Sequence, residues 1–372
     1  MQKNGLRTWV EIDKKAIRHN YQIFRSQIGK KCQLMSVVKS NAYGHSLLNF
    51  SKEMEKLGVD WLGVDSIVEG EALRKEKISP KILVLGHTLP EKITSAIENR
   101  LSLTVSTLEN LKNILRHKTA KKIKIHLKID TGMHRQGFFI QDLKKAIHLL
   151  KKNKDFIEVE GIYTHFAAAK NPSFPKDTQT QLAEFEEAVT LVRSAGFNPI
   201  RHAAATSGTL LFPKSHFDMV RVGIGLYGLW PSKETEASVK NKIKLEPVLF
   251  WKTRVSEIKN LKKGDRLGYD FTERVLRNSK IAILPVGYWH GYPRSLSSVG
   301  HVIIQNKACK ILGRVAMDMT VADVTEIRNI KSGEDVILMG KNISADYLAD
   351  LAGTVNYEIV TRINPLIRRI LV

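Results

Sequence analysis

The sequence predicts an α/β plus β organisation: an N-terminal (β/α)8 TIM barrel followed by a smaller, mostly β domain. Three observations point there. Short apolar, β-rich runs alternate with amphipathic helical runs from the start to about Gly228, as in parallel strands joined by crossover helices. After Pro231 the texture changes to strand-like runs separated by Gly264-Asp265 and Gly333-Glu334-Asp335. The 372 residues accommodate a barrel of about 250 residues and something smaller. A doubly wound open sheet is the alternative architecture.

The eight barrel strands are read at residues 33–39, 61–65, 82–86, 102–106, 123–129, 157–165, 200–205 and 219–223. A helix over residues 13–28 begins at the capping residue Asp13 and carries Ile17, Tyr21, Phe24 and Ile28 on one face. A second, over 177–196, carries Leu182, Phe185, Val189 and Val192 and stops at Gly196. Residues 232–244 are polar and read as a linker, which sets the domain boundary near residue 240. Six strands follow at 248–255, 281–286, 302–305, 308–312, 319–324 and 336–339, then a helical pattern at 344–352 and a last strand.

Hydrophobic residues at 43% and charged residues at 26% exclude a disordered chain. Cys32 and Cys309 are the two cysteines, too few for a disulfide framework. No apolar run reaches the ~18 residues that span a bilayer, so a soluble, cytoplasmic protein is expected. Lys+Arg 59 against Asp+Glu 37 gives a net charge of +22. That excess raises nucleic acid or an acidic metabolite as a partner, yet the basic residues are scattered. The densest stretch, residues 116–128, lacks interleaved aromatic residues. No metal-ligand spacing, nucleophile elbow or Walker loop appears.

In such a barrel the chemistry lies at the C-terminal ends of the strands. Those positions hold Lys39, Asp65, Lys128 to Asp130, His165, Thr206 and Arg221 to Gly223. Lys124, His126 and Lys128 alternate with Ile123, Ile125, Leu127 and Ile129. A lysine turned into a barrel lumen must be paired, neutral or modified; edge exposure is the other reading. Lys39 could be a covalent nucleophile or a surface lysine of a βα loop. Gly223-Ile224-Gly225-Leu226-Tyr227-Gly228 has G-x-G-x-x-G spacing, but no helix opens after it, so a dinucleotide site is disfavoured. Backbone amides at Gly223 and Ile224 still suit a phosphate.

The motifs together resemble the alanine racemase family almost end to end. The resemblance is carried by Trp9-Val10-Glu11-Ile12-Asp13, by Val37-Val38-Lys39-Ser40-Asn41-Ala42-Tyr43-Gly44-His45, and by Lys128-Ile129-Asp130-Thr131-Gly132-Met133-His134-Arg135. Thr164-His165-Phe166, residues 221–228, Gly291-Tyr292-Pro293-Arg294, residues 313–318 and Asn356-Tyr357-Glu358 continue it. It implies a pyridoxal 5'-phosphate enzyme: a cofactor-binding barrel over residues 1–240 and a β domain over 241–372 that contributes to the partner subunit's active site. The opening residues could pack with the β domain.

The resemblance also implies roles. Lys39 would link to the cofactor and act as base on one face of the substrate. Tyr269 of the partner subunit would act on the other, so a homodimer with shared active sites is implied. His165, as a cation or a hydrogen-bond donor, would favour the tyrosinate. Arg221 would face the pyridine nitrogen, supported by His202. Tyr43, Thr206, Gly223, Ile224 and Tyr357 would hold the phosphate. Arg135 and the backbone of Met317 would meet the substrate carboxylate. Lys128 matches a lysine that is often carbamylated.

Lys170, Tyr288, His290 and Arg314 fall near the family's substrate entrance. Lys170 stands where an acidic residue is common, and Trp289-His290 where Ala-Asp is common. Ala205, Thr206 and Ala316 stand where Asn, Ser and Cys are frequent. The expected activity is interconversion of L- and D-alanine for peptidoglycan, with serine or another small amino acid as the alternative substrate. No specific nucleic acid and no membrane partner are expected.

Overall fold

The computed structural model describes residues 5–117 and 122–372, so Lys118 and Lys121 of the basic stretch lie outside the described residues. The chain forms two compact units. One comprises Ile17–Ala42 and Leu47–Glu246; the other comprises the chain up to Ala16, Tyr43–Ser46 and Pro247–Val372.

A first strand, β1 (Thr8–Ile12), belongs to the second unit. The first unit holds β2 (Gln33–Val37), β3 (Trp61–Val64), β4 (Lys81–Val84), β5 (Leu101–Val105), β6 (Ile123–Lys128), β7 (Ile157–Tyr163), β8 (Ile200–His202) and β9 (Met219–Val222). These are the eight strands expected. They lie in the order β8-β7-β6-β5-β4-β3-β2-β9, and every pairing is parallel. All residues of β3 and β5 are buried, as parallel strands covered on both faces require. Met35, Trp61, Leu83 and Met219 pack into one apolar cluster.

The sheet closes at the seam between β8 and β9. There Asp218 N donates to Arg201 O at 3.1 Å and Arg221 N to Ala204 O at 2.9 Å. The Arg201 guanidinium forks onto the Asp218 carboxylate at 2.8 and 2.9 Å, and Arg201 N donates to the same carboxylate. An open doubly wound sheet is thereby excluded.

Helix Lys14–Ser26 starts where expected. Asp13 Oδ1 accepts from Lys15 N and Ala16 N, at 2.7 and 3.1 Å. The second expected helix runs Pro175–Ser194 and ends before Gly196 at φ +90°. The linker expected over 232–244 needs correction: Lys233–Val239 is helical. Ser232 Oγ caps Thr235 N at 3.1 Å, Glu234 and Glu236 occupy the positive first turn, and Val239 is buried. Two turns are too short to show a clear apolar periodicity.

The second unit is the mostly β one. Its remaining strands are β10 (Leu249–Arg254), β11 (Glu257–Leu261), β12 (Arg266–Leu267), β13 (Glu273–Arg274), β14 (Ser279–Leu284), β15 (His301–Ile304), β16 (Lys307–Leu312), β17 (Thr320–Asp323), β18 (Asp335–Met339) and β19 (Arg369–Leu371). Nine strands make one sheet, ordered β11-β14-β17-β16-β15-β18-β10-β1-β19. The N-terminal strand thus lies between β10, antiparallel, and β19, parallel. Trp9 and Trp251 are fully buried, and Trp251 meets Tyr292 edge-on at 6.1 Å. Sequence reading missed β11, a polar and mostly exposed edge strand.

Asp218 is held below the ordinary carboxylate range. Burial alone would raise it, but hydrogen bonds from Arg201 outweigh that. Its contribution is therefore present above the unfolded carboxylate pKa and lost as pH falls through the depressed folded value. Asp218→Ala should cost about 1 kcal/mol at neutral pH after solvent screening. Urea melts should show that gap narrowing below about pH 4, and coincident melts at neutral pH would contradict the seam's role.

Candidate active site

The expected site residues divide between the two units. Lys39, Lys128, Arg135, His165, Lys170, His202, Thr206, Arg221, Gly223 and Ile224 belong to the barrel unit. Tyr43, Tyr269, Tyr288, His290, Arg314, Met317 and Tyr357 belong to the β unit.

Lys39 does not end the first barrel strand, as the sequence suggested. β2 stops at Val37, and Lys39 opens a left-handed turn in which Ser40, Asn41, Ala42 and Tyr43 have φ of 56°, 55°, 52° and 51°. Left-handed backbone costs about 1–2 kcal/mol per L-residue, so this turn must be held. Ala42 N donates to Val38 O at 2.7 Å. Asn41 N donates to Glu69 Oε1 at 3.2 Å, and Leu47 N to Asn41 Oδ1 at 2.8 Å. Glu69 also accepts from Asp65 N at 2.8 Å, and Asp65 pairs with the Lys39 ammonium at 3.3 Å. One carboxylate therefore fixes both the lysine's turn and its counter-ion.

Arg221, on β9, is the most constrained group. A guanidinium has five N–H donors. NH1 donates to His202 Nδ1 at 2.9 Å and to His202 O at 2.8 Å. NH2 donates to Thr164 O at 2.7 Å and to Ala203 O at 3.0 Å. Among the described residues Nε–H has no acceptor. Burial pushes Arg221 down to about 10, which leaves it charged at neutral pH. Tyr163 stacks on His202 at 4.7 Å and lies 5.1 Å from the guanidinium.

Because arginine only donates, it sets the polarity of a buried chain. His202 Nδ1 must accept, so its proton is on Nε2, 2.9 Å from His126 Nδ1. His126 then accepts there and carries its proton on Nε2, 3.6 Å from Glu160 Oε2. Burial, more than neighbouring charge, lowers both histidines, so both are neutral at pH 7. Burial would raise Glu160, but hydrogen bonds from Lys81 and Ser102, and the proximity of His126, hold it well below the ordinary range. Lys81 and Ser102 donate at 2.8 and 2.6 Å. Glu160 occupies a bulge where β6 and β7 shift register between Ile125 and His126, and a bulge re-aims a side chain.

Lys128 Nζ donates to Gln136 Oε1 at 2.8 Å. Burial, then the charges of Arg135, Arg221 and Lys39, push Lys128 down to about 8. His165 is pushed down to about 3 by burial and by Arg221, so its expected cationic role is withdrawn and a neutral donor remains. Arg135 and Gln136 sit on a stapled loop. Phe138 N donates to Lys128 O and Asp130 N to Phe138 O, at 2.8 and 3.0 Å. Asp130 Oδ1 accepts from Gly132 N and His134 N. Gly137, at φ +146°, leaves no room for a Cβ, which would lie 2.4 Å from Asp130 N.

In the β unit the rings of Tyr43 and Tyr357 lie 6.1 Å apart. Burial pushes Tyr43 up to about 12 and raises Tyr357 as well, so both phenols keep their protons. Gly44 lets this segment approach: a Cβ there would lie 2.0 Å from Val360 O, and Arg369 Nε donates to Gly44 O at 3.1 Å. Tyr269 is 67% exposed on a loop where Asp270 pairs with Arg314. Met317 is exposed too. His290 is buried and accepts from Gly287 N at 3.2 Å, whereas Trp289 is exposed.

Comparison with known proteins agrees with this geometry. Residues 12–231 match the alanine racemase N-terminal domain and residues 248–371 the alanine racemase C-terminal domain. The chain belongs to the alanine racemase family. It is 39% identical to the alanine racemase of Leptospira interrogans serovar copenhageni, covering 100% of this chain and 97% of that protein. Among solved structures it is similar to the alanine racemase of Clostridium difficile 630, with a TM-score of 0.94 and 30% identity over 100% and 97% of the two chains. The Bacillus anthracis enzyme with bound L-Ala-P gives a TM-score of 0.93 at 34% identity over 98% and 95%.

As a member of this family the chain has supporting groups that sequence reading missed: Glu160, Tyr163, Gln136 and Glu69. Gly161, next to Glu160, makes room for the histidine: a Cβ there would lie 2.1 Å from His126 Nδ1. Gly161→Ala should displace His126 and cost about 1–3 kcal/mol through overpacking. Thermal unfolding measures this, and an unchanged melting temperature would contradict the packing described.

Proposed function

We propose that this chain interconverts L- and D-alanine with pyridoxal 5'-phosphate, moving a proton between the two faces of the substrate Cα. The observation that carries the reading is the disposition of Arg221, whose terminal N–H groups are all engaged and whose Nε–H remains to donate.

The residues present fit the cofactor. The charges of Lys39, Arg135 and Arg221 all reach Lys128, and those of all four reach His165, a gathering of cations that calls for an anion. Gly223 adopts φ −109°, ψ −99°, outside the regions open to other residues. A Cβ on Gly225 would overlap Phe24 at 2.3 Å and Thr206 at 2.8 Å. The Gly223 and Ile224 amides and the Thr206 hydroxyl of the barrel unit are donors suited to phosphate, and by the family resemblance the protonated Tyr43 and Tyr357 phenols would add to them. Pyridoxal phosphate supplies, when bound, the electron-accepting ring that acidifies the substrate Cα–H.

Arg221 would hold the ring nitrogen through its Nε–H and would keep its own proton. His202 and His126, neutral and in fixed tautomers, hold it in place. Lys39 anchors the cofactor and holds or returns the proton at Nζ on one face. Tyr269 Oη of a second subunit serves the opposite face, and its exposure in the single chain supports a shared site in a homodimer. Arg135 and the Met317 backbone bind the substrate carboxylate; His165 donates as a neutral ring. Lys170, Tyr288, His290 and Arg314 govern entry. The relatives' shared name favours alanine over serine. The D-alanine would serve peptidoglycan synthesis in the cytoplasm.

Chiral chromatography of L-alanine incubated with cofactor-loaded enzyme should show D-alanine, and no inversion would overturn the reading. Lys39→Ala and Tyr269→Phe should each lose at least about 10²-fold. Mixed subunits of the two variants should recover roughly a quarter of the activity, since each mixed dimer has one intact site. No recovery despite subunit exchange would contradict shared sites.

Lys128, with its lowered pKa, offers a neutral amine to carbon dioxide, and the carbamate would be an anion beside Arg135. The neutral amine is the reactive form, so uptake should rise as pH climbs through about 8. Carbon-13 NMR under labelled bicarbonate reads this, and absence of a carbamate signal at high pH would refute it.

A further inference from the structure

The barrel has a second concavity at the end remote from Lys39. It has a volume of about 760 Å³ and lies at the starts of β4 to β7. Arg74, Lys77, Lys81, Arg100, Lys122 and Lys124 line it, together with Glu158 and Glu160. Ile78, Ile97, Leu101 and Ile123 give it an apolar wall.

The charges do not balance. Lys81 and Lys124 are matched by Glu160 and Glu158, at 2.8 to 4.0 Å. Arg74 donates to two backbone carbonyls, Asn99 O and Ile78 O, and is balanced by Glu55, which accepts from Ser79 at the cavity's edge. Lys77, Arg100 and Lys122 remain in excess. The ends of the helices Ile67–Lys75 and Ile93–Glu98 supply only about half a negative charge each. Burial, then repulsion from Arg100, lowers the Arg74 pKa, which places two cations within mutual reach.

The backbone adds an independent observation. Lys77 and Arg100 follow those two helices with φ of +60° and +53°, the left-handed position that glycine normally fills. A long cation is kept at both ends in spite of a backbone cost of about 1 kcal/mol each.

We propose that this cavity binds a phosphate ester of nucleotide size, with its phosphates against Lys77, Arg100 and Lys122 and its ring system on the apolar wall. The volume lies within the range of about 300–1,000 Å³ that small-molecule sites occupy. The site is separate from the racemase centre and does not rest on that reading.

The test is calorimetric titration of cofactor-loaded enzyme, at low ionic strength, with ADP, ATP, pyrophosphate, orthophosphate and a short single-stranded oligonucleotide. ADP and ATP should bind once per chain and more tightly than pyrophosphate or orthophosphate. Lys77→Glu combined with Arg100→Glu should weaken them by at least about tenfold while racemisation is kept. Absent nucleotide binding, equal binding by the double variant, pyrophosphate as tight as ADP, or binding to the oligonucleotide alone would each overturn the proposal.

Discussion

The buried charge of Arg221 is the constraint on which the barrel's interior depends. A guanidinium removed from water must have its donors met. Three backbone carbonyls and one imidazole meet four of them. The carbonyls come from Thr164, His202 and Ala203, just past the ends of β7 and β8, so the barrel's closure and the arginine's position are one arrangement. The requirement travels down the lumen, since a donor-only group fixes the tautomer of His202, then of His126, and ends on the anion Glu160. Burial first, and then this field, keep His165 neutral and make the Lys128 amine unusually available. Arg221, His202, His126 and Glu160 thus form one chain of neighbours along the lumen.

Local devices then fix the groups that must act. Glu69 holds both the left-handed turn after Lys39 and the aspartate paired with it. The 130–137 loop is stapled to itself and presents Arg135 beside a lysine tied to Gln136. Tyr269 shows the opposite treatment, since it stands exposed on a loop held by an Asp270–Arg314 pair. In the proposed reading that exposure is what a second subunit would cover.

Much of this was legible in the sequence. Parallel strands buried on both faces leave apolar runs, so all eight barrel strands could be read, with Lys128 and Arg221 at the ends of two of them and Lys39 just past the end of another. The short helix after Ser232 was hidden because two turns carry too little periodicity, and β11 because an exposed edge strand has no apolar face. Glu160 was invisible for another reason: an acidic residue in a strand acquires its role from a register shift and three partners distant in sequence. The neutral state of His165 likewise depends first on burial and then on four cations that only the fold assembles.

The central claim is that Arg221 donates Nε–H and keeps the proton it carries. Nitrogen-15 NMR of the loaded enzyme, with the cofactor's pyridine nitrogen labelled, measures it directly. The account predicts the chemical shift of an unprotonated, hydrogen-bonded ring nitrogen throughout the neutral pH range. The shift of a protonated pyridinium would contradict it.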